Sequence, residues 1–270
     1  IAAPYSVGLD HFQLSKQTGE SIRRALLYCQ QSKESPIFLQ DSVPTFSLAH
    51  SLGCKLQTIY VAATGLPLDG IGFVSYNNFS FAQTIQMARS FAQQQEQPGM
   101  NTDVINQLFQ FAEMAVGAIG VDFTPSSQET QRLISLKYDA ELQQKTRLFV
   151  LDDDELDSSP EFVESCAQNA AGLSLSGLPG GHLSPVYFRL DLDELGLDDP
   201  NIPPEAREMA KEAAGGIQSL SYGDEANLDE LVDEVCGWVL GKEPSRSPAW
   251  DSPGRGGRVP RIAGSSVPNS

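Results

Sequence analysis

The sequence predicts an α/β fold, in which a mostly parallel sheet carries helices on both faces. Short β-type runs at residues 45–50, 70–76 and 147–151 alternate with stretches of helical periodicity. Parallel neighbours need crossover connections, and helices usually provide them. A chain of 270 residues with 40% hydrophobic residues is also long and apolar enough to bury the core of such a fold.

The first part of the chain predicts a strand, a loop and a helix. Residues 1–5 have the composition of the end of a buried strand, and residues 6–11 form a polar, glycine-containing loop. In residues 19–33 the apolar positions recur at helical spacing, as Ile22, Ala25, Leu26 and Cys29. We therefore expect this segment to be a helix that lies on the sheet.

Four further strands and one helix follow from local composition. Thr45 to His50 is a short strand, and the helix after it covers residues 52–63 and stops before Gly65 and Pro67. The other predicted strands cover residues 70–76, 147–151 and 172–178, the last being the weakest pattern.

Residues 79–145 form an insertion of mostly helical character, too long for a simple crossover, which we interpret as a cap or lid. Ser126 and Glu129 have the spacing of a capping box, which predicts the start of a helix within it. Leu133, Ile134 and Tyr138 continue this helix. The α/β core would then consist of residues 1–78 and 146–243.

The last third of the chain is acidic and then poor in large apolar residues. Acidic side chains crowd residues 191–199, where a solvated face is the expected structure, and a helix is predicted at residues 228–240. From residue 244 to residue 270, Pro, Gly, Ser and Arg dominate. Such a tail cannot offset its ordering entropy by burial, so we expect it to be disordered.

The charge balance excludes several function classes. The chain has 18 Lys and Arg against 35 Asp and Glu, a net charge of −17, which argues against nucleic-acid and anionic-membrane binding. The apolar residues 59–68 are too few for a membrane span, so a soluble protein is predicted. The start at Ile1 shows no secretory signal and suggests a processed or truncated chain.

The cysteines and histidines predict no metal site and no cofactor. Four cysteines lie far apart without C-x-x-C spacing, so neither a zinc site nor a disulfide framework is expected, and a reducing compartment fits best. The chain has three histidines, at positions 11, 50 and 182, without ligand spacing.

The segment Ala49-His50-Ser51-Leu52-Gly53 is close to the nucleophile elbow G-x-S-x-G. It lies between a predicted strand and a predicted helix, as that motif requires. The residues two before and two after the serine are small, because the turn is strained and crowded. The amide of Leu52 would point at the oxyanion of an acyl intermediate. A pentapeptide of this kind also occurs by chance.

An acid and a histidine follow the serine in the order that a Ser-Asp-His triad needs. Asp154 comes directly after the strand at residues 147–151, where a carboxylate can orient a histidine, and Asp157 is the alternative acid. His182 lies on a glycine-flanked loop, 182 − 154 = 28 residues further on. It is the candidate general base, although a loop histidine can also be satisfied by backbone groups.

Other residues near the motif are weaker candidates. Asn77 and Asn78 would line the pocket or cap the turn into the lid, and His11 in the first loop is a third candidate for lining the pocket, although its role is ambiguous. His50 is expected to pack beneath the elbow, since adjacent strand residues point to opposite faces. Cys54 could be imagined as a nucleophile, but it lies inside the helix and a small buried residue is the better interpretation.

Several motifs together resemble an α/β-hydrolase-like group, domain-of-unknown-function family thirteen-fifty, found in plants, algae and cyanobacteria. The matching pieces are Ala-His-Ser-Leu-Gly-Cys-Lys-Leu at 49–56, Ser-Tyr-Asn-Asn-Phe at 75–79, Phe-Thr-Pro-Ser at 123–126 and Gly-Gly-His-Leu-Ser-Pro at 180–185. The resemblance covers about residue 1 to about residue 185. The family pattern has Gly where this chain has Ala49 and Thr where it has Ser184.

The resemblance implies an α/β-hydrolase fold with a helical cap, Ser51, Asp154 and His182 in the triad positions, and chloroplast residence in eukaryotic members. It implies no substrate. In this fold the first strands and the loop that donates the second oxyanion amide would precede Ile1, and they are absent from the sequence. A chain without them would expose a sheet edge and have half an oxyanion hole.

Two hypotheses from different classes follow. The first is a serine hydrolase that cleaves a carboxylic ester or thioester of a small or lipid-like acyl group, with Phe81, Leu108, Phe109 and Phe111 as candidate acyl-chain contacts or simply the cap's own core. The second is a catalytically inactive binding or scaffold protein on the same fold, for which the acidic residues 191–199 could be a partner surface. Lyase or transferase chemistry on the same triad is a third possibility.

Overall fold

The computed structural model describes residues 2–3, 5, 8–31, 43–86, 121–166, 172–186 and 224–251. Four strands form one sheet in the order β1-β2-β3-β4, which is also their order in the sequence. The strands are β1 (Phe46–His50), β2 (Gly70–Val74), β3 (Thr146–Leu151) and β4 (Ser174–Leu178). The α/β class predicted from the sequence is therefore confirmed, and each strand lies where a strand was expected.

Six labelled helices accompany these strands in the described residues. They are α1 (His11–Gln31), α2 (Leu52–Thr64), α3 (Ser127–Lys137), α4 (Ala140–Gln144), α5 (Ser159–Cys166) and α6 (Glu225–Val239). Residues 81–86 are also helical, and Ser184–Val186 and Ala249–Asp251 form short 3₁₀ turns. The chain divides into two compact units, Ile1–Leu148 with Asp157–Ser174, and Phe149–Leu156 with Leu175–Ser270.

In the first unit, β1 and β2 are parallel, and their register pairs Phe46 with Gly70 and His50 with Val74. Helix α1 packs on α2, and its Gly19 lies so close to Tyr60 that an added Cβ would sit 2.2 Å from the tyrosine ring. Helix α2 ends at Gly65, whose φ of 61° is left-handed. The glycine at position 19 is thus required by the approach of two helices.

An aromatic cluster forms the centre of the first unit. Phe162 of α5 contacts Phe73, Tyr76 and Tyr138, with ring centroids 4.8 to 5.6 Å apart in edge-to-face geometry. All four rings are buried. Because aromatic pairs in this geometry add to the hydrophobic gain from burial, the cluster fixes the residues that follow β2 against α5.

Helix α3 begins with the capping box predicted from the sequence. The Ser126 side chain accepts from the backbone N–H of Glu129, and the Glu129 side chain accepts from the backbone N–H of Ser126. The helix packs against α2 and α5. It ends one residue before Tyr138, which caps it rather than continuing it. Residues 87–120 of the predicted lid lie outside the described residues.

Two expectations for the N-terminal region are wrong. Residues 2, 3 and 5 are not in a strand, and Tyr5 is 39% exposed. Helix α1 begins at His11, eight residues before its predicted start (19 − 11 = 8), because the Asp10 side chain accepts from the backbone N–H of Gln13 and caps the first turn. Residues 32 and 33, the predicted end of this helix, lie outside the described residues.

The second unit contains β4, α6 and a C-terminal segment. Residues 244–251, which we expected to belong to a disordered tail, hold defined contacts: the Gly177 N–H donates to the Arg246 carbonyl at 2.7 Å, and Arg246 pairs with Asp152 at 2.8 Å. Pro248 is buried. A backbone hydrogen bond to β4 thus gives residues 244–251 a defined structure, which their composition does not predict. The acidic residues 191–199 and the tail beyond residue 251 lie outside the described residues.

Candidate active site

Ser51 forms a strained turn between β1 and α2. Its φ of 56° and ψ of −127° lie in a region that residues with a Cβ rarely adopt. Its backbone N–H donates to the Val74 carbonyl at the end of β2, at 3.1 Å, and its own carbonyl accepts from the Cys54 N–H at 3.0 Å. Strain of this kind persists only where surrounding contacts hold it, and it is typical of functional sites.

The residues two before and two after Ser51, Ala49 and Gly53, are small, as the motif predicts, but the crowding at Gly53 is milder than expected. A Cβ added to Gly53 would lie 3.7 Å from the Cβ of Ala49, which is an ordinary van der Waals contact. The turn at this position therefore has room for a methyl group.

Leu52 is the first residue of α2, so helix geometry leaves its N–H without an intrahelical acceptor. Helix N-termini carry a partial positive charge, which favours an anionic group beside them. The Leu52 amide can therefore donate to an oxyanion formed at the Ser51 side chain.

Asp154 and His182 form a hydrogen-bonded pair in the second unit. The Asp154 Oδ2 lies 2.9 Å from the His182 Nδ1, and the Asp154 side chain is completely buried while that of His182 is 11% exposed. The other carboxylate oxygen of Asp154 accepts from the Leu156 N–H at 2.8 Å. With its proton held at Nδ1, a neutral His182 has Nε2 as its basic nitrogen.

The two loops that carry this pair are joined by backbone hydrogen bonds. The Asp152 N–H donates to the Leu178 carbonyl at 2.9 Å, and the Asp153 N–H donates to the Gly180 carbonyl at 3.0 Å. Gly180 has a φ of 101°, and a Cβ there would lie 2.4 Å from the Ser184 Oγ. The residues leading to Asp154 and to His182 are thus fixed to each other.

Asp157, the alternative acid, has a different place. Its Oδ1 accepts from the backbone N–H and from the hydroxyl of Ser159, at 2.9 and 2.6 Å. These contacts lie at the start of α5, where an aspartate caps a helix well. The histidine partner in the structure is therefore Asp154.

Asn77 and Asn78 are both buried, and their contacts are those of a structural turn. Asn77 accepts from the Phe79 N–H through its side-chain oxygen, which closes an Asx turn. The Asn78 side chain donates to the Ser127 carbonyl at 2.9 Å and so connects the end of β2 to α3. The sequence predicts that these residues either line the pocket or cap the turn into the lid, and the observed contacts are those of the turn.

His11 is fully buried, with its ring stacked on Phe123 at 4.2 Å between centroids. Neither ring nitrogen has a hydrogen-bond partner among the described residues. Burial, with a smaller effect from the nearby charge of Lys55, lowers the pKa of His11 to about 4. The imidazole is therefore neutral at physiological pH and serves the packing of the first unit.

Two further residues near the elbow had no signal in the sequence. Lys55 is completely buried, donates to the Pro125 carbonyl at 3.0 Å and forms no ion pair with the residues that the structure describes, and burial lowers its pKa to about 8. Ser75, directly after β2, is fully buried with a φ of 51°. The only indication of Lys55 in the sequence is a charged residue among the apolar residues at the start of α2, and nothing in the sequence indicates the role of Ser75.

The described residues contain no group of three or more His, Cys, Asp and Glu side chains that could hold a metal ion. No helix in the described part of the chain is long and apolar enough to cross a membrane. Cys54 forms no disulfide and is buried, so its interpretation as a small packed residue rather than a nucleophile agrees with the structure.

The structure is similar to those of several α/β-hydrolases. One is the peroxisomal α/β-hydrolase Lpx1 from Saccharomyces cerevisiae, with a TM-score of 0.41 and 8% identity over 77% of this chain and 69% of that chain. Another is MGS-MChE2, an α/β-hydrolase from the metagenome of lagoon sediments of Mar Chica, Morocco, with a TM-score of 0.38 and 11% identity over 67% of each chain. A third is a monoacylglycerol lipase from Paleococcus ferrophilus, with a TM-score of 0.34 and 12% identity over 81% of this chain and 79% of that chain.

No curated protein matches the sequence. A family model, described as a protein of unknown function, DUF1350, matches residues 1–194. The matched residues include the elbow at Ser51 and the Asp154–His182 pair. Since the match covers more than half of the 270 residues, the chain belongs to the DUF1350 family.

Proposed function

We propose that the protein is a serine hydrolase that cleaves a carboxylic ester or thioester, with Ser51 as nucleophile, His182 as general base and Asp154 as the orienting acid. The observation that carries the proposal is the 2.9 Å contact between the buried Asp154 carboxylate and the His182 Nδ1. A buried carboxylate at this nitrogen fixes the tautomer that a base needs. The strained φ of 56° at Ser51 supports the same proposal.

In the proposed reaction the Ser51 Oγ attacks the acyl carbon while the His182 Nε2 accepts the hydroxyl proton. The Leu52 N–H donates to the oxygen of the tetrahedral intermediate. Collapse breaks the bond to the alcohol or thiol, which takes the proton from His182 and leaves an acyl-enzyme. Water then attacks the acyl carbon, gives its proton to His182, and the released serine regains that proton as the carboxylic acid departs.

The proposed substrate class is an ester or thioester with a small or lipid-like acyl group, and no cofactor takes part. Phe81, one of the residues considered for acyl-chain contact, packs edge-to-face on Phe123 at 5.4 Å. Leu108, Phe109 and Phe111 lie outside the described residues. Chloroplast residence is proposed from the family resemblance alone, and a fluorescent fusion imaged in plant cells tests it.

Hydrolysis of p-nitrophenyl acetate, butyrate and octanoate by wild-type protein, Ser51→Ala, Asp154→Asn and Asp157→Asn tests the proposal. We expect the wild type to hydrolyse at least one ester. Ser51→Ala should lose roughly 10⁶-fold and Asp154→Asn roughly 10⁴-fold in kcat, as the corresponding triad members do in other serine hydrolases. Asp157→Asn is the matched control, because it removes the alternative acid, whose Oδ1 accepts from the N–H and the hydroxyl of Ser159.

Two outcomes would overturn the proposal. One is equal activity in Asp154→Asn and wild type, which would mean that the pair with His182 does not support a base. The other is a folded wild type without activity on any ester or thioester, which would favour the binding or scaffold protein that the sequence also allows.

A further inference from the structure

The Val74 carbonyl, at the end of β2, accepts two hydrogen bonds that both come from the elbow. The backbone N–H of Ser51 donates to it at 3.1 Å, and the thiol of Cys54 donates to it at 3.4 Å. A carbonyl oxygen has two lone pairs, so both donors can be accepted together. Ser51 and Cys54 are thus connected through one oxygen of the neighbouring strand.

A third hydrogen bond connects Ser51 and Cys54 directly. The Cys54 N–H donates to the Ser51 carbonyl at 3.0 Å. On one side of Ser51, its N–H donates to the Val74 carbonyl, which also accepts from the Cys54 thiol. On the other side, its carbonyl accepts from the Cys54 N–H. Because the φ of 56° at Ser51 is unfavourable for a residue with a Cβ, contacts of this kind must maintain it.

The environment of Cys54 suits a donor and excludes other roles for the thiol. Its side chain is completely buried, so neither a substrate nor a modifying reagent reaches it. Burial raises the pKa of the thiol well above its ordinary value, which keeps the proton on sulfur. Because the site is closed to solvent, even a weak S–H donor can occupy the lone pair of the carbonyl that the Ser51 N–H leaves open.

We propose that Cys54 is a positioning residue for Ser51, whose thiol holds the Val74 carbonyl and thereby the elbow in its strained conformation. The inference rests on the proposed function, because it concerns the reactivity of Ser51. A residue that only fills space at position 54 would leave the serine's rate constants unchanged. A residue that positions the nucleophile would change kcat and leave KM nearly unchanged.

The test measures the second-order rate constant for labelling by a fluorophosphonate probe, together with kcat and KM for a p-nitrophenyl ester. Cys54→Ala and Cys54→Val remove the donor; the alanine leaves space where the sulfur was, and the valine fills that space with a slightly larger apolar side chain. Cys54→Ser keeps a donor. Cys166→Ala is the matched control, because Cys166 is a second buried free cysteine of the same unit and lies on α5 rather than at the elbow.

We expect Cys54→Ala and Cys54→Val to label roughly fivefold more slowly than wild type, the rate equivalent of about one net hydrogen bond. Cys54→Ser should retain most of the wild-type rate, and Cys166→Ala should label at the wild-type rate. The ester assay should show the loss in kcat, with KM nearly unchanged.

The possible contrary results separate the two proposals. If wild type labels and both Cys54→Ala and Cys54→Val label equally fast, Cys54 does not position Ser51, although the hydrolase proposal stands. If Cys166→Ala slows labelling as much as Cys54→Val, loss of packing explains the effect and the inference is wrong. If folded wild type does not label, the proposed function fails and the inference fails with it.

Discussion

Replacing His11 by phenylalanine should remove a pH dependence of folding stability. The ring of His11 is fully buried and stacked on Phe123, so a phenylalanine keeps the aromatic contact and loses only the titration. Burial and the charge of Lys55 lower the pKa of His11 from 6.5 to about 4, against the opposite effects of Asp10 and Asp122. The fall in the pKa from 6.5 to about 4 corresponds to roughly 3 kcal/mol of unfolding free energy.

The sign follows from which state binds the proton first. Because the pKa of His11 is lower in the folded chain, the unfolded chain takes up the proton as the pH falls below 6.5. The stabilisation is complete above pH 6.5 and is lost as the pH falls to about 4, below which His11 contributes no further loss.

Urea unfolding of wild type and His11→Phe at several pH values across this window measures the effect. Carboxylates other than the neighbouring Asp10 and Asp122 change the stability of both proteins equally, so the difference between the two curves reports His11 and its interactions with these two groups. Wild type should lose up to roughly 3 kcal/mol more than the variant between neutral pH and about pH 4. Parallel curves for the two proteins would refute the reasoning.

Two further predictions concern helix α2 and its contact with α1. Lys55→Met should be at least as stable as wild type at neutral pH, because it removes a buried charge that has no ion pair in the described residues. The unfolding free energy of wild type should rise between about pH 8 and 10.5 as Lys55 loses its proton, and the variant should lack this rise. Gly19→Ala should cost about 1–3 kcal/mol in urea unfolding, since the methyl would overlap the Tyr60 ring. Gly53→Ala, with an ordinary contact, should cost less, and equal losses would contradict the packing argument.

Local patterns predicted the strands and the caps well, because the interactions that form them are close in sequence. The strand and helix around Ser51 have nearly the expected bounds, and the capping box of Ser126 and Glu129 is present. The chain order also paired Asp154 with His182, whose side chains are 2.9 Å apart. Their catalytic role and that of Ser51 stay predictions.

Features that depend on distant contacts could not be predicted. Lys55 is buried because its ammonium reaches a carbonyl 70 positions away, and no local pattern encodes that distance. Arg246 lies in a segment of disorder-like composition but pairs with Gly177, 69 positions earlier. The predicted start of α1 at residue 19 is wrong for a simpler reason: Gly19 lies inside the helix, where it allows the close contact with Tyr60 of α2.

The measurement that tests the central claim most directly is covalent labelling of Ser51 by a fluorophosphonate, read by intact mass and by peptide mapping. The folded wild-type chain should gain one adduct on Ser51, and Ser51→Ala and His182→Ala should gain none. A folded wild type that stays unlabelled, or an adduct that persists in Ser51→Ala, would contradict the assignment of Ser51 as an activated nucleophile.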